Sequence, residues 1–483
     1  MKGLVWFRRD LRVRDHAALA AACAGCREVI PLFVFDEALL RARAFGSACV
    51  NFMLDSLYEV RQALARRGLF MIWRKGDPIE EVLRAAQDLG ADAVYWNRDY
   101  EPAAIVRDRT VQQRLAQQGR TVRTFKDHVV FEAEEIRSQI GEPFQRYSAY
   151  RGRWWARWRS GPPPVLAMPG PIKRTSQDLP AQPHGWPSAE DLGYAHVSPW
   201  IAPGEMAALA RLKQFLAGPV HRYIGERNHP AGDGTSQLSP HFRFGTLSVR
   251  TAIHAALAAV AKGGPASRPD VLTWIDELVW REFFQQVLAA FPHVAEGPFR
   301  SQAAVPPSRP PDAERERFFK AWCDGQTGYP LVDAGMRQLN QTGWMHNRVR
   351  MVVASFLIKD LRLDWQSGER YFMQHLLDAD LAANNGNWQW CAATGTDAMR
   401  GYRIFNPWLQ SQKFDPEGTY IRRYVPELAK VPGKKIHEPH LMSIDEQARA
   451  SCVIGVDYPG PIVDHAQARA EYLAMGKGAG TDA

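Results

Sequence analysis

Hydrophobic positions along the chain follow two rhythms, one in each half. In the first half, short apolar runs alternate with stretches that carry apolar residues at helical spacing. The runs predict five strands, at residues 4–7, 30–35, 70–74, 93–96 and 121–125. Helical spacing between them is clearest over residues 51–67 and 78–89. Strands that alternate with helices predict a Rossmann-like domain with a five-stranded parallel sheet.

The rhythm changes after residue 130, where prolines cluster before a helical pattern takes over. Prolines 162–164, 169, 171, 180, 183, 187 and 199 predict a long connector. Beyond it, helices are predicted at residues 251–261, 271–290, 334–340, 348–361 and 369–379. The pattern divides the chain into an α/β domain (1–130), a connector (131–204), an all-α domain (205–475) and a short tail (476–483).

One stretch of the connector, residues 151–159, interleaves arginine with tryptophan. Interleaved basic and aromatic residues are typical of surfaces that bind nucleic acids. The alternative is a helix that packs its tryptophans against a domain and leaves its arginines in water, and this interpretation has at least as much support.

Composition narrows the class of protein. The chain of 483 residues is 46% apolar and carries a formal net charge of +8, which suits a polyanionic partner without requiring one. Its six cysteines are too scattered for a disulfide framework, and Cys23 and Cys26 form a lone C-x-x-C, so no metal site is predicted. No apolar run could span a bilayer and no signal peptide pattern is present, so we expect a cytoplasmic protein without a membrane partner.

Residues 378–390 (DADLAANNGNWQW) are the most unusual polar segment of the chain. Three asparagines around a glycine make it a poor ordinary helix, because their side chains compete for backbone groups. Asp378 and Asp380 can accept hydrogen bonds from hydroxyls or ring N–H groups, and Asn384 can face a ring nitrogen. The alternative is a helix end followed by two core tryptophans.

Two more segments combine polar and aromatic chemistry. Residues 234–240 (GTSQLSP) form a hydroxyl-rich loop before a predicted helix, with Ser239 as its N-cap. Free N–H groups and hydroxyls at a helix start could bind a phosphate. The alternative is an ordinary capped helix, which has the same features. Glu277, Trp280 and Arg281 share one face of a predicted helix at i, i+3 and i+4. The alternative there is a surface pair of Glu277 with Arg281 beside a half-buried indole.

A fourth segment surrounds Asn347, Arg350 and Met351, which share a helix face at the same spacing. The thioether of Met351 is polarizable and suits packing beneath a flat ring, although a gap-filling core methionine is common. Four such segments in one half of the chain favour a polar ligand with an aromatic body.

Together these segments resemble the class I cyclobutane pyrimidine dimer DNA photolyases of the photolyase/cryptochrome family. The similarity covers nearly the whole chain and rests on long motifs in a fixed order. The motifs lie at residues 5–12, 234–240, 278–283, 327–333, 343–348, 380–386 and 458–464.

The resemblance implies a Rossmann-like antenna domain followed by an all-α domain that holds FAD in a folded, U-shaped form. It places Asn384 opposite flavin N5 and the loop at 235–239 near the phosphates. The residues it assigns to the cofactor are Tyr223, Thr235, Ser236, Gln237, Leu238, Ser239, Trp274, Glu277, Arg281, Trp344, Asn347, Arg350, Asp378, Asp380 and Asn384.

The reaction implied by the resemblance is light-driven repair of DNA. Excited FADH⁻ passes an electron to a pyrimidine dimer flipped out of the duplex, the cyclobutane bonds break, and the electron returns. The residues implied at the reacting centre are Glu277, Trp280, Asn347, Met351, Asn384 and Trp390. Contacts with UV-damaged DNA are implied for Arg227, Trp280, Arg281, Asn347 and Arg348. A monomer is expected.

The same residues discriminate between subfamilies. Asn347 together with Met351 is the dimer-repair pattern, because the related (6-4) photolyases carry histidine at both positions. Plant cryptochromes carry aspartate where this chain has Asn384. The alternatives are a blue-light receptor of the cryptochrome type without repair activity and a flavoprotein that only binds structured nucleic acid.

Two features depart from the family pattern. Family members reduce the flavin through three tryptophans, and Trp388 and Trp365 match the first two, but no tryptophan lies between Trp280 and Trp322 to serve as the third. The antenna chromophore also stays open between a deazaflavin and methenyltetrahydrofolate. Folate-binding relatives carry an Asn-Glu pair at positions 103 and 104, which are both alanine here.

Overall fold

A computed structural model describes residues 1–170, 185–300, 311–397 and 403–478, without the side chains of residues 261, 265 and 475–478. The predicted connector prolines 171, 180 and 183 and the end of the predicted tail, residues 479–483, lie outside the described residues. The chain forms two compact units. The first comprises residues 1–222, 236–295 and 377–383, and the second comprises residues 223–235, 296–376 and 384–483.

A five-stranded, all-parallel sheet organises the first unit, in the order β3-β2-β1-β4-β5. The strands are β1 (Lys2–Phe7), β2 (Glu28–Asp36), β3 (Ile72–Gly76), β4 (Ala93–Asn97) and β5 (Thr121–Phe125). The predicted Rossmann-like domain is confirmed. The third strand was predicted two residues too early, because Phe70, which continues the apolar run, is 51% exposed and lies before the strand.

The helices of the first unit cover the sheet and extend beyond it. They are α1 (Ala17–Gly25), α2 (Glu37–Arg41), α3 (Ser47–Ala65), α4 (Pro78–Asp88), α5 (Pro102–Gln117), α6 (Tyr147–Ser160), α7 (Glu205–Ala217), α9 (Ser239–Arg243), α10 (Val249–Gly263) and α11 (Arg268–Ala290). Local chemistry sets their starts: Asp77 caps α4 by accepting from Ile79 N at 2.9 Å, and Pro78 follows as the first helical residue. Leu4, Trp6, Ile30 and Val94 form part of the core beneath α4 and α5.

The loop after β1 packs closely against the loop after α9. Leu11 N donates to Phe244 O at 3.0 Å. Gly245 has φ +61°, and a Cβ there would lie 2.1 Å from the carbonyl oxygen of Arg9. Glycine is therefore required at position 245 both by its left-handed backbone conformation and by the close approach of these two loops.

A buried ionic cluster joins three segments of the first unit, namely the loop after β1, the segment after β5 and the start of α10. Arg12 Nη2 donates to both carboxylate oxygens of Asp127 at 2.6 and 2.7 Å, and Arg250 Nη2 donates to Asp127 Oδ1 at 2.9 Å. Burial raises the pKa of Asp127, but the two guanidinium groups outweigh it and hold that pKa below its ordinary value of 3.8.

Asp127→Asn is expected to lower the free energy of unfolding by about 3–5 kcal/mol at neutral pH, because the buried Arg12 loses its carboxylate partner and Arg250 keeps only Asp15. A carboxylate with a lowered folded pKa stabilises the fold above its unfolded pKa and loses this contribution as pH falls through the folded pKa. The variant should therefore lose less stability than the wild type on acidification below about pH 4. Urea denaturation at several pH values measures the loss of stability at neutral pH and its change on acidification. Asp55→Asn, on the exposed side of α3, is the control.

The structure of α6 decides between the two interpretations of residues 151–159, a surface for nucleic acid and a helix that buries its tryptophans. Trp154 and Trp158 are buried and stacked at 5.4 Å between ring centroids, while Arg153 and Arg159 are exposed. Arg151 Nε donates to Asp276 Oδ2 at 2.7 Å, which ties α6 to α11. The helix that packs its tryptophans inward is therefore confirmed.

The regular elements of the second unit, in the part of it that the structure describes, are helices apart from an isolated bridge between Ile454 and Tyr458. Its helices are α8 (Tyr223–Glu226), α12 (Asp312–Asp324), α13 (Pro330–Thr342), α14 (Asn347–Ser355), α15 (Trp365–His375), α16 (Leu381–Ala392, shared with the first unit), α17 (Pro407–Phe414), α18 (Thr419–Tyr424), α19 (Ile444–Ala450) and α20 (His465–Gly478). The helix predicted at residues 348–361 is wrong in its second part, where Phe356–Asp360 form a π-helical turn that follows α14.

Metal and membrane features are absent from the parts of the chain that the structure describes. No group of three or more metal-ligating side chains occurs there. None of the helices described combines the length and hydropathy that crossing a bilayer needs. All six cysteines are free, and burial raises the pKa of Cys23 to about 11, which makes its thiol a weak nucleophile.

Candidate functional site

Residues 378–390 do form a helix over most of their length, contrary to the prediction of a poor one. Helix α16 begins at Leu381 and contains all three asparagines. Asn385 Nδ2 donates to Glu369 Oε1 at 2.9 Å, and Asn385 Oδ1 accepts from Gln389 Nε2 at 2.9 Å. These buried amides bind neighbouring side chains, so they do not compete for the helix backbone.

Asn384 is the amide of this helix that suits a ligand. Its Nδ2 donates to the backbone carbonyl of Glu369 at 3.0 Å, which fixes the orientation of the side chain. Among the described residues, no protein group donates to Asn384 Oδ1. A reduced flavin carries an N–H at N5, so a fixed, buried amide oxygen fits the predicted cofactor.

Asp380 is held by three groups of the first unit. It accepts from Arg9 Nη2, from Gln285 Nε2 at 3.0 Å and from Ala383 N at 3.0 Å. Burial raises the pKa of Asp380, but the positive charges of Arg9, Arg243 and Arg281 outweigh it and hold this pKa below its usual range. The carboxylate is therefore ionised and oriented before any ligand arrives. Asp378 is buried two residues earlier.

Helix α11 presents the predicted trio of Glu277, Trp280 and Arg281. Arg281 Nη1 donates to His128 O at 2.9 Å, and its Nη2 lies 2.6 Å from His128 Nε2. Burial lowers the pKa of Arg281 to about 10. The alternative of a surface pair with Glu277 is wrong, because this guanidinium is directed inward to the segment before residue 131.

The indole of Trp280 is fixed from behind by an aromatic ring of α6. Tyr147 stacks on Trp280 with 3.5 Å between ring centroids and an interplanar angle of 10°. Tyr147 Oη donates to Asp276 O at 2.8 Å, so the supporting ring is itself held in place. Trp280 is half-buried, which leaves part of the indole available to a ligand.

Glu282, to which sequence reasoning gave no role, holds this region together. Its carboxylate accepts from Val130 N, Phe131 N, Tyr150 Oη and Trp154 Nε1 at 2.5, 3.2, 3.1 and 2.9 Å. Burial raises the pKa of Glu282 to about 7, and the four donors oppose that rise. The only signal in the sequence was a charged residue within an apolar stretch of a predicted helix.

Helix α14 confirms the shared face of Asn347, Arg350 and Met351. Asn347 is exposed, and its Nδ2 lies 4.0 Å from Met351 Sδ. Arg350 Nε donates to Met345 O at 2.8 Å. His346 caps the helix by accepting from Arg348 N at 3.2 Å, which fixes where this face begins.

Three arginines of the second unit lie close enough to affect one another. Burial lowers the pKa of Arg348, and Arg227 and Arg403 lower it further. Arg348 Nη2 donates to Asn228 Oδ1 at 2.8 Å. Neighbouring guanidinium groups are suited to phosphates, and Arg403 is the member that sequence reasoning missed.

The hydroxyl-rich loop is divided between the units. Thr235 belongs to the second unit, and residues 236–239 belong to the first. Ser239 is the first residue of α9 and Leu238 is the N-cap, so the predicted capping by Ser239 is wrong by one position. Gln237 has φ +54°, and Arg211 Nε donates to Ser236 O at 2.9 Å. This hydrogen bond fixes the backbone of Ser236 shortly before α9.

The predicted electron-transfer residues are both buried in the second unit. Trp388 contacts Trp322 edge to face at 6.2 Å between ring centroids. Gly368 lies against Trp388, where a Cβ would come within 2.2 Å of the indole. Within the described residues, Trp365 makes no ring contact with Trp388. The indole in contact with Trp388 is therefore Trp322.

The remaining predicted residues are placed as follows. Trp274 is buried and packs on Phe215 at 5.2 Å between ring centroids. Tyr223 and Trp344 are buried in the second unit, while Trp390 is half-buried on α16, two residues beyond the buried Trp388. Each unit therefore supplies its own part of the predicted set.

An α/β sheet and helices that carry fixed carboxylates, a directed amide and half-buried indoles offer the groups that a flat, polar ligand needs. Comparison with known proteins identifies the family. Residues 3–169 match the family model described as DNA photolyase, and residues 274–477 match the model described as FAD binding domain of DNA photolyase.

Relatives match along the full length. The chain is 40% identical over 480 residues to a deoxyribodipyrimidine photo-lyase of Synechococcus, covering 98% of this chain and 96% of the relative. Among solved structures, a bacterial class III photolyase from Agrobacterium tumefaciens is 37% identical with a TM-score of 0.88, covering 99% of this chain and 97% of its own. A cryptochrome from Synechocystis is 30% identical with a TM-score of 0.88, covering 98% and 99%.

The chain belongs to the DNA photolyase family. The family predicted from the motifs is therefore confirmed, as is the fold class, and FAD is the cofactor of its helical part.

Proposed function

We propose that this protein is a deoxyribodipyrimidine photo-lyase that repairs cyclobutane pyrimidine dimers in DNA under light. The observation that carries the proposal is the full-length relationship to a photo-lyase at 40% identity. The fixed amide oxygen of Asn384 and the supported indole of Trp280 provide the two functions that the reaction needs, a site for the flavin and a wall for a flat substrate.

The cofactor would be held by the residues that the sequence assigns to it. Asn384 would accept a hydrogen bond from flavin N5–H, and Asp378 and Asp380 would bind other polar atoms of the cofactor. Trp274, Glu277, Arg281, Trp344 and Arg350 would line the cavity, and Tyr223 with residues 235–239 would contact the phosphates. When bound and reduced, the flavin supplies the electron that opens the cyclobutane ring under light.

The substrate site uses flat and polar groups of this chain. Trp280 and Trp390 would stack against the flipped pyrimidine pair, and Met351 would pack against it. Glu277 and Asn347 would hydrogen-bond the carbonyl and N–H groups of the bases. Arg227, Arg348 and Arg403 would contact phosphates. Of the two roles predicted for Arg281, its contact with His128 supports the one on the cofactor side.

The wider predictions complete the proposal. Residues 1–130 would form the antenna domain, 131–204 the connector, and 205–475 the catalytic domain before the tail at 476–483. A deazaflavin or methenyltetrahydrofolate would serve as antenna. The protein would act in the cytoplasm as a monomer and bind UV-damaged DNA.

A repair assay tests the function. Purified protein with chemically reduced flavin is mixed with an oligonucleotide that contains one thymine dimer, and the dimers are counted before and after exposure to blue light. We expect their loss in light and none in the dark. If dimers persist although reduced flavin is bound, the blue-light receptor is favoured. Binding to structured nucleic acid without turnover favours the third alternative.

Trp388→Phe is expected to slow the light-driven reduction of the flavin by an external thiol severalfold. The side chain is buried against Gly368, so phenylalanine fits, but it is harder to oxidise than indole. Repair by chemically reduced protein should persist, because that reaction needs no internal electron donor. Absorbance changes under illumination measure the rate, with Trp73→Phe as control. An unchanged rate would remove Trp388 from the pathway.

A further inference from the structure

Arg9, at the end of β1, contacts carboxylates from two distant parts of the first unit. Its Nη1 donates to Glu101 Oε1 at 2.5 Å and lies 3.4 Å from Asp99 Oδ1. Its Nη2 donates to Asp380 Oδ2, a residue 371 positions away in sequence. Among the described residues, Arg9 is the cation within ion-pair distance of Asp380. One guanidinium therefore links the sheet edge to the predicted flavin segment.

The backbone next to Asp380 is held from the same side. Arg243 Nε donates to the carbonyl oxygen of Ala379, between the two aspartates of the segment. Gln285 Nε2 reaches both oxygens of Asp380, at 3.0 and 3.2 Å. Because every one of these groups belongs to a regular element or its end, the orientation of the carboxylate is set by the fold.

The charges around Arg9 form a buried network. The guanidinium groups of Arg9, Arg243 and Arg281 lie near the carboxylates of Asp99, Glu101 and Asp380. His128 lies between two of the arginines, and burial and their charges lower its pKa well below the ordinary value, so it stays neutral. Removal of one charge from this buried cluster leaves another uncompensated, where the local dielectric is low.

We propose that Arg9 is a positioning residue for the flavin, which holds the carboxylate of Asp380 in place and neutralises it, so that the anionic reduced cofactor is favoured. The inference rests on the proposed function, in which Asp380 belongs to the cofactor site. An uncompensated carboxylate beside the cofactor would repel the negative charge gained on reduction. Arg9 thereby gives the sheet edge an effect on the redox chemistry of the helical part.

The midpoint potential of the bound flavin tests the proposal. In Arg9→Gln, we expect the ratio of reduced to oxidised flavin at a fixed applied potential to fall about tenfold, which is about 30 mV for a two-electron step. Arg9→Lys keeps the charge but loses the planar fork, so its potential should lie between those of the wild type and Arg9→Gln. The double variant Arg9→Gln with Asp380→Asn removes both charges and should return toward the wild type.

Arg8→Gln is the matched control. Arg8 is the neighbouring arginine, and its Nη1 donates to both oxygens of Asp108 at 2.7 Å rather than to Asp380. A merely structural role of the ion pairs would lower thermal stability in both variants and leave the flavin potential unchanged. The proposal is overturned if Arg9→Gln has the potential of Arg8→Gln, or if the double variant does not recover.

Failure of this inference is distinguishable from failure of the proposed function. Wild-type protein that binds no FAD or repairs no dimers contradicts the function. Wild-type protein that repairs dimers, with Arg9 variants of unchanged potential, contradicts only the role of Arg9. If Arg9→Gln does not retain flavin, the potential of Arg9→Lys decides, and an unchanged value there also overturns the proposal.

Discussion

Trp280→Ala is expected to weaken the binding of dimer-containing DNA by about 10-fold to 100-fold, the effect of losing one aromatic stacking partner of a base. The indole is held by Tyr147 at 3.5 Å, so it needs little ordering when the substrate arrives. Trp280→Phe keeps a flat ring and should lose less. Binding to undamaged duplex should change little, because the phosphate contacts proposed for the arginines of the second unit do not involve this side chain.

Titration of a labelled oligonucleotide, with and without one dimer, measures the two affinities. Trp200→Ala is a suitable control, because Trp200 is 44% exposed and is assigned to no part of the site. Equal affinity of Trp280→Ala and wild type for the damaged strand would show that the indole does not face the dimer. Tyr147→Leu gives a further comparison, since it removes the support while it leaves Trp280 in place.

Glu282→Ala is expected to lower the free energy of unfolding by about 3–5 kcal/mol. Glu282 is 1% exposed and accepts from two backbone N–H groups, a tyrosine and a tryptophan, so its loss leaves four buried donors beside a cavity. Glu282→Gln keeps the volume and one acceptor oxygen, and it should lie between the alanine variant and the wild type.

Urea denaturation measures these losses, and FAD content reports whether the site survives. Glu316→Gln, on an exposed position of α12, should stay within about 0.5 kcal/mol of the wild type. A wild-type stability for Glu282→Ala would mean that the segment at 130–131 and α6 are held by other contacts. The Ala variant should also bind flavin less well, because α11 carries Trp280 and Arg281 beside Glu282.

Sequence alone predicts the chemistry of the candidate site but not the contacts that support it. Asp380, Asn384 and Trp280 were predicted because carboxylates, amides and indoles at these spacings are unusual in a core. Glu282 and Arg9 received no role at the site, since a single charged residue in a motif does not reveal its partner. Arg403 was missed for the same reason: its relation to Arg348 depends on how separate segments pack.

The errors of local prediction have a related cause. The asparagine-rich segment was judged a poor helix from propensity, yet α16 forms because Glu369, on another helix, satisfies two of its amides. Tertiary packing outweighed an unfavourable local preference. The π-helical turn after α14 likewise falls in a stretch whose apolar spacing fits an α-helix.

By itself, the sequence determined the parallel sheet, the helical half and the family, because periodicity and motif order depend on residues close together along the chain. Only the tertiary structure decided that α6 buries Trp154 and Trp158, that the carboxylate of Glu282 accepts four hydrogen bonds, and that Arg9 contacts Asp380. Such pairs join segments far apart in sequence, and their geometry is set when the elements pack, which no local pattern records.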